Sequence, residues 1–399
     1  MTTSQINRQR GRELAILGGV CLAAGSMLLV FDVWTSGSLS ALSHSWLLGF
    51  AFFWSIVLGS MFFVLLHYVS GAIWSTVFRR VGEMLMGAQR LLLLAAIPLV
   101  IFMVYNDVFA LFPWLDKQLV SEHKILTEKS SYLNLGFFCI RMALYFVLWV
   151  GVGRIYLKSS LAQDSAAHPG SLTGLRNASG PLMFLFAVSI TFASFDWFMS
   201  LDPFWFSTIF GIYIFSGMVL SSLSVITLTA LYFQKTGITE KNLITSQHLY
   251  SLGAYLFAFT CFWAYIAFSQ YMLIWYANLP EEAVFFTLRL HGGWLWVSLL
   301  LPVLRFFIPF FILISRRAKM NPGLLTLASF IILAGQALDL FWIVMPNVQR
   351  FGMLHLTGSL GSVVFFTGLL LVYIRSFSKK HNLLASNDPK FTESREFHL

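Results

Sequence analysis

A few polar side chains stand inside long apolar runs, and their types are those that could move charge: His67, Arg141, Tyr145, Asp196 and Asp339. Carboxylates and imidazoles exchange protons near neutral pH when their surroundings shift them. An arginine stays protonated and acts by holding a nearby carboxylate ionised. A charge at the centre of a membrane helix costs about 2.5–3.5 kcal/mol on insertion scales, so each needs a partner or a function. The spacing reads as a proton path in three parts. His67 and Ser70, with Arg79, Arg80 and Glu83 on the adjoining loop, form an inner half. Arg141 lies near the midplane, with Tyr145 at i+4 and Asn134 at i−7 on the same helical face, and Asp196 and Asp339 form an outer half. Asp107, Asp202, His248, His291 and Arg305 are secondary candidates.

Each has a plainer reading. Arg79 and Arg80 read as basic anchors at a membrane surface, and Arg141 as a structural ion-pair partner for a buried aspartate. Asp107 and Asp202 read as caps or solvated carboxylates, since Asp202-Pro203 has the order of an N-cap followed by proline at the first helical position. His291-Gly292-Gly293 reads as a close approach between helices. Trp275 and Tyr276 suit a water–membrane interface, and Glu281 and Glu282 suit solvent or an outer partner.

Other chemistries lack their residues. Cys21, Cys139 and Cys261 lie far apart, with no C-x-x-C-H for covalent haem, no cysteine cluster for iron and sulfur, and no disulfide framework. There is no Walker loop and no G-x-G-x-x-G between a strand and a helix. His67 and His248 fall near one face and His291 and His355 near the other, a poor arrangement for a b-type haem. No catalytic residue, metal site or bound redox cofactor of the chain's own is expected.

The elements that position these residues follow from composition. Of 399 residues, 58% are hydrophobic and only 11% charged, far from the quarter that soluble domains carry. Crossing ~30 Å of hydrocarbon takes roughly 20 apolar residues in a helix. Ten runs qualify: 14–32, 46–69, 89–112, 131–157, 180–200, 205–233, 246–276, 289–314, 323–345 and 354–376. They do not alternate as barrel strands would. The expectation is an all-α integral membrane protein with ten transmembrane helices: a segment 1–13, a membrane domain 14–376 and a polar tail 377–399 that is an extended arm or packs on a partner. The longer loops fall at 70–89, 113–130 and 159–179.

With both termini on one side, that side holds 19 of the 26 lysines and arginines. Lys117, Lys124, Lys129, Arg289 and Arg350 lie on the other, and Arg141 and Arg305 lie within helices. The positive-inside rule makes the basic side, and both termini, cytoplasmic. It also accounts for most of the formal +9 charge, so nucleic-acid binding is not implied.

Three strings in order carry a family resemblance. They are His67-Tyr68-Val69-Ser70-Gly71-Ala72-Ile73-Trp74 running to Arg79-Arg80-Val81-Gly82-Glu83; Ser194-Phe195-Asp196-Trp197-Phe198-Met199-Ser200-Leu201-Asp202-Pro203; and Ser269-Gln270-Tyr271-Met272-Leu273-Ile274-Trp275-Tyr276-Ala277-Asn278-Leu279-Pro280-Glu281-Glu282. Together they resemble the ActF-type membrane subunits of bacterial alternative complex III, a quinol:cytochrome c oxidoreductase, within the wider NrfD/PsrC-like family. The resemblance implies two four-helix bundles, helices 2–5 and 6–9, flanked by helices 1 and 10, in the bacterial inner membrane. It implies partners: an ActC-like sister subunit, an iron–sulfur subunit, cytochrome c subunits, small membrane subunits and lipids. Haem c and iron–sulfur clusters would belong to those partners, and quinol oxidation chiefly to the sister. For this chain it implies a non-redox role in assembly and proton transfer. A quinol site of its own, a proton-coupled secondary transporter and a purely structural anchor are the alternatives.

Overall fold

Apolar runs of this length can satisfy their backbone groups in hydrocarbon only as helices, because no water is present to bond the N–H and C=O groups. The computed structural model describes residues 3–164, 170–240, 243–348 and 355–398, with side chains from residue 12 onward and, after the gap at 165–169, from residue 173. Its described residues contain ten helices long and apolar enough to cross a membrane. They are α1 (Arg12–Ser36), α2 (Leu39–Ser70), α3 (Thr76–Val104), α4 (Leu135–Ala162), α5 (Thr173–Leu201), α6 (Phe210–Lys235), α7 (Ser246–Ala277), α8 (Trp294–Leu313), α9 (Pro322–Asn347) and α10 (Leu356–Lys380). The described residues are those of an all-helical, multi-pass membrane protein.

Side-chain caps set several starts. Ser38 accepts from Ala41 N at the head of α2, and Gly71 ends that helix in the left-handed region at φ 62°. Asn321, followed by Pro322, caps α9. At α7 the Thr245 hydroxyl and the His248 ring cap each other's backbone N–H groups.

Burial separates centre from rim. The apolar window of α2 is 94% buried and that of α6 83%, against 22% for α1 and α8. The two central helices cross at Gly59, where a Cβ would lie 2.4 Å from Met218 O, and the Ser60 and Ser222 hydroxyls bond across the crossing at 2.8 Å. Small residues let backbones meet where lipid gives no hydrophobic drive for association. The rim pair α1 and α10 uses the same device. A Cβ on Gly25 would lie 2.5 Å from Phe365 N, and one on Gly368 2.7 Å from Leu22 N.

Interhelical contacts define two faces. On one, the basic face, Arg79 meets Asp388, Lys390 Nζ donates to Gly71 O, and His248 Nε2 bonds Ser394 O at 2.8 Å. On the opposite face, Ser43 donates to Phe109 O, Lys129 to Pro203 O, Trp205 to Glu282 O, and Arg289 to Trp342 O.

Three expectations are corrected. The stretch 70–89 is not a loop: Thr76–Met86, fully buried, is the first part of α3. The segment 159–179 is mostly helix at both ends, α4 running to Ala162 and α5 described from Thr173. The tail after Lys380 is not an extended arm. It folds against the chain's own basic face and buries Leu383, Ala385, Asp388, Phe391 and Ser394. Arg350 lies outside the described residues.

Candidate functional site: buried arginine and aspartate centres

The first centre joins α4 to α5. Arg141 grips Asp196 with two parallel bonds, Nε to Oδ2 at 2.9 Å and Nη2 to Oδ1 at 2.8 Å, and the Tyr145 hydroxyl adds a third donor at 2.8 Å. The third guanidinium nitrogen donates to Tyr132 O at 2.9 Å, and the guanidinium lies over the Tyr132 ring, 3.9 Å from its centroid. Every nitrogen of Arg141 is therefore engaged. Such bidentate, charge-assisted geometry is the strongest way to hold a carboxylate out of water. Tyr132 precedes the span, and its burial, followed by the Asp196 charge, pushes its phenol above the ordinary range.

Arg141 sits nearer the opposite face than its sequence position suggested. α4 begins at Leu135, so the residue is about 9 Å in rather than at the midplane. Asn134 does not share its stripe either: it caps α4 by accepting from Phe137 N at 2.9 Å.

The second centre has the same kinds of residue on α6 to α9. Arg305 Nη2 lies 3.2 Å from Asp339 Oδ2, while the Asp339 oxygens accept from Tyr213 OH and, at 3.2 Å, from Trp263 Nε1. The Arg305 guanidinium stands over the Trp263 ring at 4.7 Å. A π-helical turn, Val303–Phe307, carries Arg305 just after Pro302, which lacks the N–H a regular ladder needs there. About 16 Å into α8, Arg305 is closer to mid-membrane than Arg141. Gln336 is fully buried beside it, whereas Trp342 turns away to donate to Ser298 at 2.7 Å.

A third polar cluster lies under the basic face. Arg79 pairs with Glu83 at 3.2 Å and with Asp388, and donates to Ser160 and Gln163; Arg80 holds Asp164 with two bonds of 2.8 and 3.0 Å. Both arginines and Glu83 have no exposed surface. They are buried structural ions rather than anchors, because the tail and the end of α4 cover them. His67 is next to this cluster and bonds Ser75 at 2.7 Å; Ser70, expected beside it, is exposed. His248 uses both ring nitrogens, one at its cap and one on Ser394 O.

The remaining candidates are peripheral. Asp107 is exposed. Asp202 caps no long helix: its carboxylate accepts from Phe204 N within a turn, and α6 starts only at Phe210. His291 is exposed and bonds Thr287 O, and Gly292 supplies a positive φ of 59° with open space around it, so that pair marks a turn and not a helix contact. Trp275 and Tyr276 are 67% and 85% exposed, and Glu281 is exposed while Glu282 is half-buried.

No bond links the His67, Arg141 and Asp339 groups in the described residues into one chain. Sequence reading missed Tyr132, Tyr213 and Trp263, which carry no signal among so many aromatics. It also missed Asp388 and Asp164, read as polar tail and loop, and Asp32, which ends the first apolar run. Asp32 is buried on α1 and faces His355 Nδ1 at 3.8 Å, in space that Gly358 leaves open. Among the described residues no group of three or more His, Cys, Asp or Glu side chains is placed to hold a metal ion.

The fold and these centres define a polytopic helical membrane protein with paired charges buried in its core. No family model and no curated protein matches the chain.

Proposed function

We propose that the chain is an ActF-like, non-redox integral membrane subunit of a quinol:cytochrome c oxidoreductase of the alternative complex III type, in a bacterial inner membrane with its basic face cytoplasmic. Its task is to brace the assembly and to carry protons through the buried arginine and aspartate centres. One observation carries this reading. Arg141 and Asp196 occupy the third and fourth helices of the quartet α2 to α5, and Arg305 and Asp339 occupy the third and fourth helices of the quartet α6 to α9. That repeat of placement supports two related four-helix halves, and ionisable pairs kept inside hydrocarbon are the usual mark of proton relays. The contact of α2 with α6 at the centre, and of α1 with α10 at the rim, supports the same division.

Purification from mild detergent through a tag on this chain is expected to bring down a second NrfD-like subunit with c-type haem and iron–sulfur subunits. Recovery as a stable lone protein would reject the assembly role. In the assembled complex, Asp339→Asn and Arg141→Met are expected to lower proton release per quinol oxidised. Unchanged coupling in both would leave only the bracing role.

A further inference from the structure

The two centres differ in one respect. Every nitrogen of Arg141 has a hydrogen-bond acceptor, but beyond the 3.2 Å ion-pair contact of Nη2 with Asp339, the Nε, Nη1 and Nη2 of Arg305 make no well-formed hydrogen bond within the protein, although the side chain is completely buried. Its ion-pair partner accepts hydrogen bonds from other donors, Tyr213 and Trp263. Beside it Gln336 Oε1 also lacks a partner. Gly217 lets the two approach, for a Cβ there would come within 2.7 Å of Gln336 Oε1 and 2.8 Å of Arg305 Nη2, so both polar groups lie against its bare Cα. Leaving so many buried polar groups unmatched would cost about 1–3 kcal/mol each.

The pattern continues toward the basic face. α6 and α9 pack together and run in opposite directions. Seven residues along from Gly217 is Ser224, and seven residues back from Gln336 is Ser329. Seven residues is close to two helical turns, so each serine keeps its helix's facing side and sits about 10 Å nearer the basic face. Both hydroxyls are fully buried and have no partner in the protein. The Arg305 and Asp339 charges cancel, so the complementary ligand is neutral, small and able both to donate and to accept. That is water, which needs two to four polar partners to occupy a buried site.

We infer that the Arg305 and Asp339 centre opens onto a file of water between α6 and α9, past Ser224 and Ser329, which gives the second half its own proton route to the basic face, separate from His67. This rests on the reading of the chain as a proton-carrying subunit.

Cysteine accessibility tests it in the intact complex, with Cys21, Cys139 and Cys261 first replaced by alanine and a C-terminal tag marking the basic face. Silver ion added at that face displaces the thiol proton only where water reaches the sulfur. Ser224→Cys and Ser329→Cys are expected to react at least about tenfold faster than Ala328→Cys, a buried control at the depth of Ser329. Reaction at the control rate would overturn the file. As a second measurement, a density map able to resolve ordered water is expected to show peaks bonded to the Arg305 guanidinium and Gln336 Oε1, and apolar packing there would overturn it equally. Labelling reads hydration and not turnover. Failed copurification therefore rejects the assembly role alone, and failed labelling rejects the water file alone.

Discussion

Replacing Arg141 by methionine isolates what the first centre contributes to stability. Asp196 is 1% exposed and receives three donors, two of them from this arginine. If only neutral interhelical bonds were lost, at ~0.6 kcal/mol each on average, the change would be roughly 1–2 kcal/mol. Leaving a buried carboxylate without its cation is harsher, about 3–5 kcal/mol. Arg141→Met alone is thus expected to destabilise the chain by about 3–5 kcal/mol. Arg141→Met with Asp196→Leu, which removes both charges and restores apolar volume, should recover to within about 1–2 kcal/mol of the parent. Equilibrium unfolding in mixed micelles with rising dodecyl sulfate, followed by tryptophan fluorescence, gives the four corners of the cycle. A coupling energy below about 0.5 kcal/mol would mean the two sites act independently and would refute the ion-pair argument. The same cycle on Arg305 and Asp339 should give a smaller coupling, because Tyr213 and Trp263 continue to hold Asp339 when the arginine is gone.

Asp388→Ala leaves Arg79 with Glu83 as its remaining carboxylate contact, and a loss of about 2–4 kcal/mol is expected, measured by thermal unfolding in detergent. Gly59→Val puts branched carbon into Met218 O at the crossing of α2 and α6 and should abolish the folded species in fluorescence-detected size exclusion; a monodisperse peak would refute the crossing. Arg289→Lys keeps the charge but loses the planar fork that bonds Phe285 O, Trp342 O and Ile343 O, and should lower stability by about 2–3 kcal/mol in the same thermal assay.

How far the sequence carried depends on range. Each of the ten spans announces itself, because a continuous apolar run such as Leu91 to Phe102 has no other stable form in hydrocarbon. Tyr145 beside Arg141 was equally readable, since i and i+4 share a face whatever surrounds the helix. Arg79 and Arg80 were misread because a basic pair at a helix end suits an anchor, and the side chains that hold them are distant, Asp388 lying 309 residues from Arg79 and Asp164 lying 84 residues from Arg80. Arg305 packs closely against Gly217 and Gly335 on two other helices, and no local pattern encodes that meeting. Asp202 failed for a different reason: the turn at 203–209 delays α6, and an Asp-Pro pair suits a turn as well as a cap.

The contact between Asp388 and Arg79 also sets an order of events during synthesis. Arg79, Arg80 and Glu83 enter the membrane surface early and meet Ser160 and Asp164 once α4 is made, yet Asp388, which completes Arg79, is translated 309 positions after it. Until then the tail side of the ion cluster beside His67 stays uncovered. A chain released before residue 388 has all ten spans but lacks the residues that seal this face. Only a finished copy therefore holds Arg79 between Glu83 and Asp388.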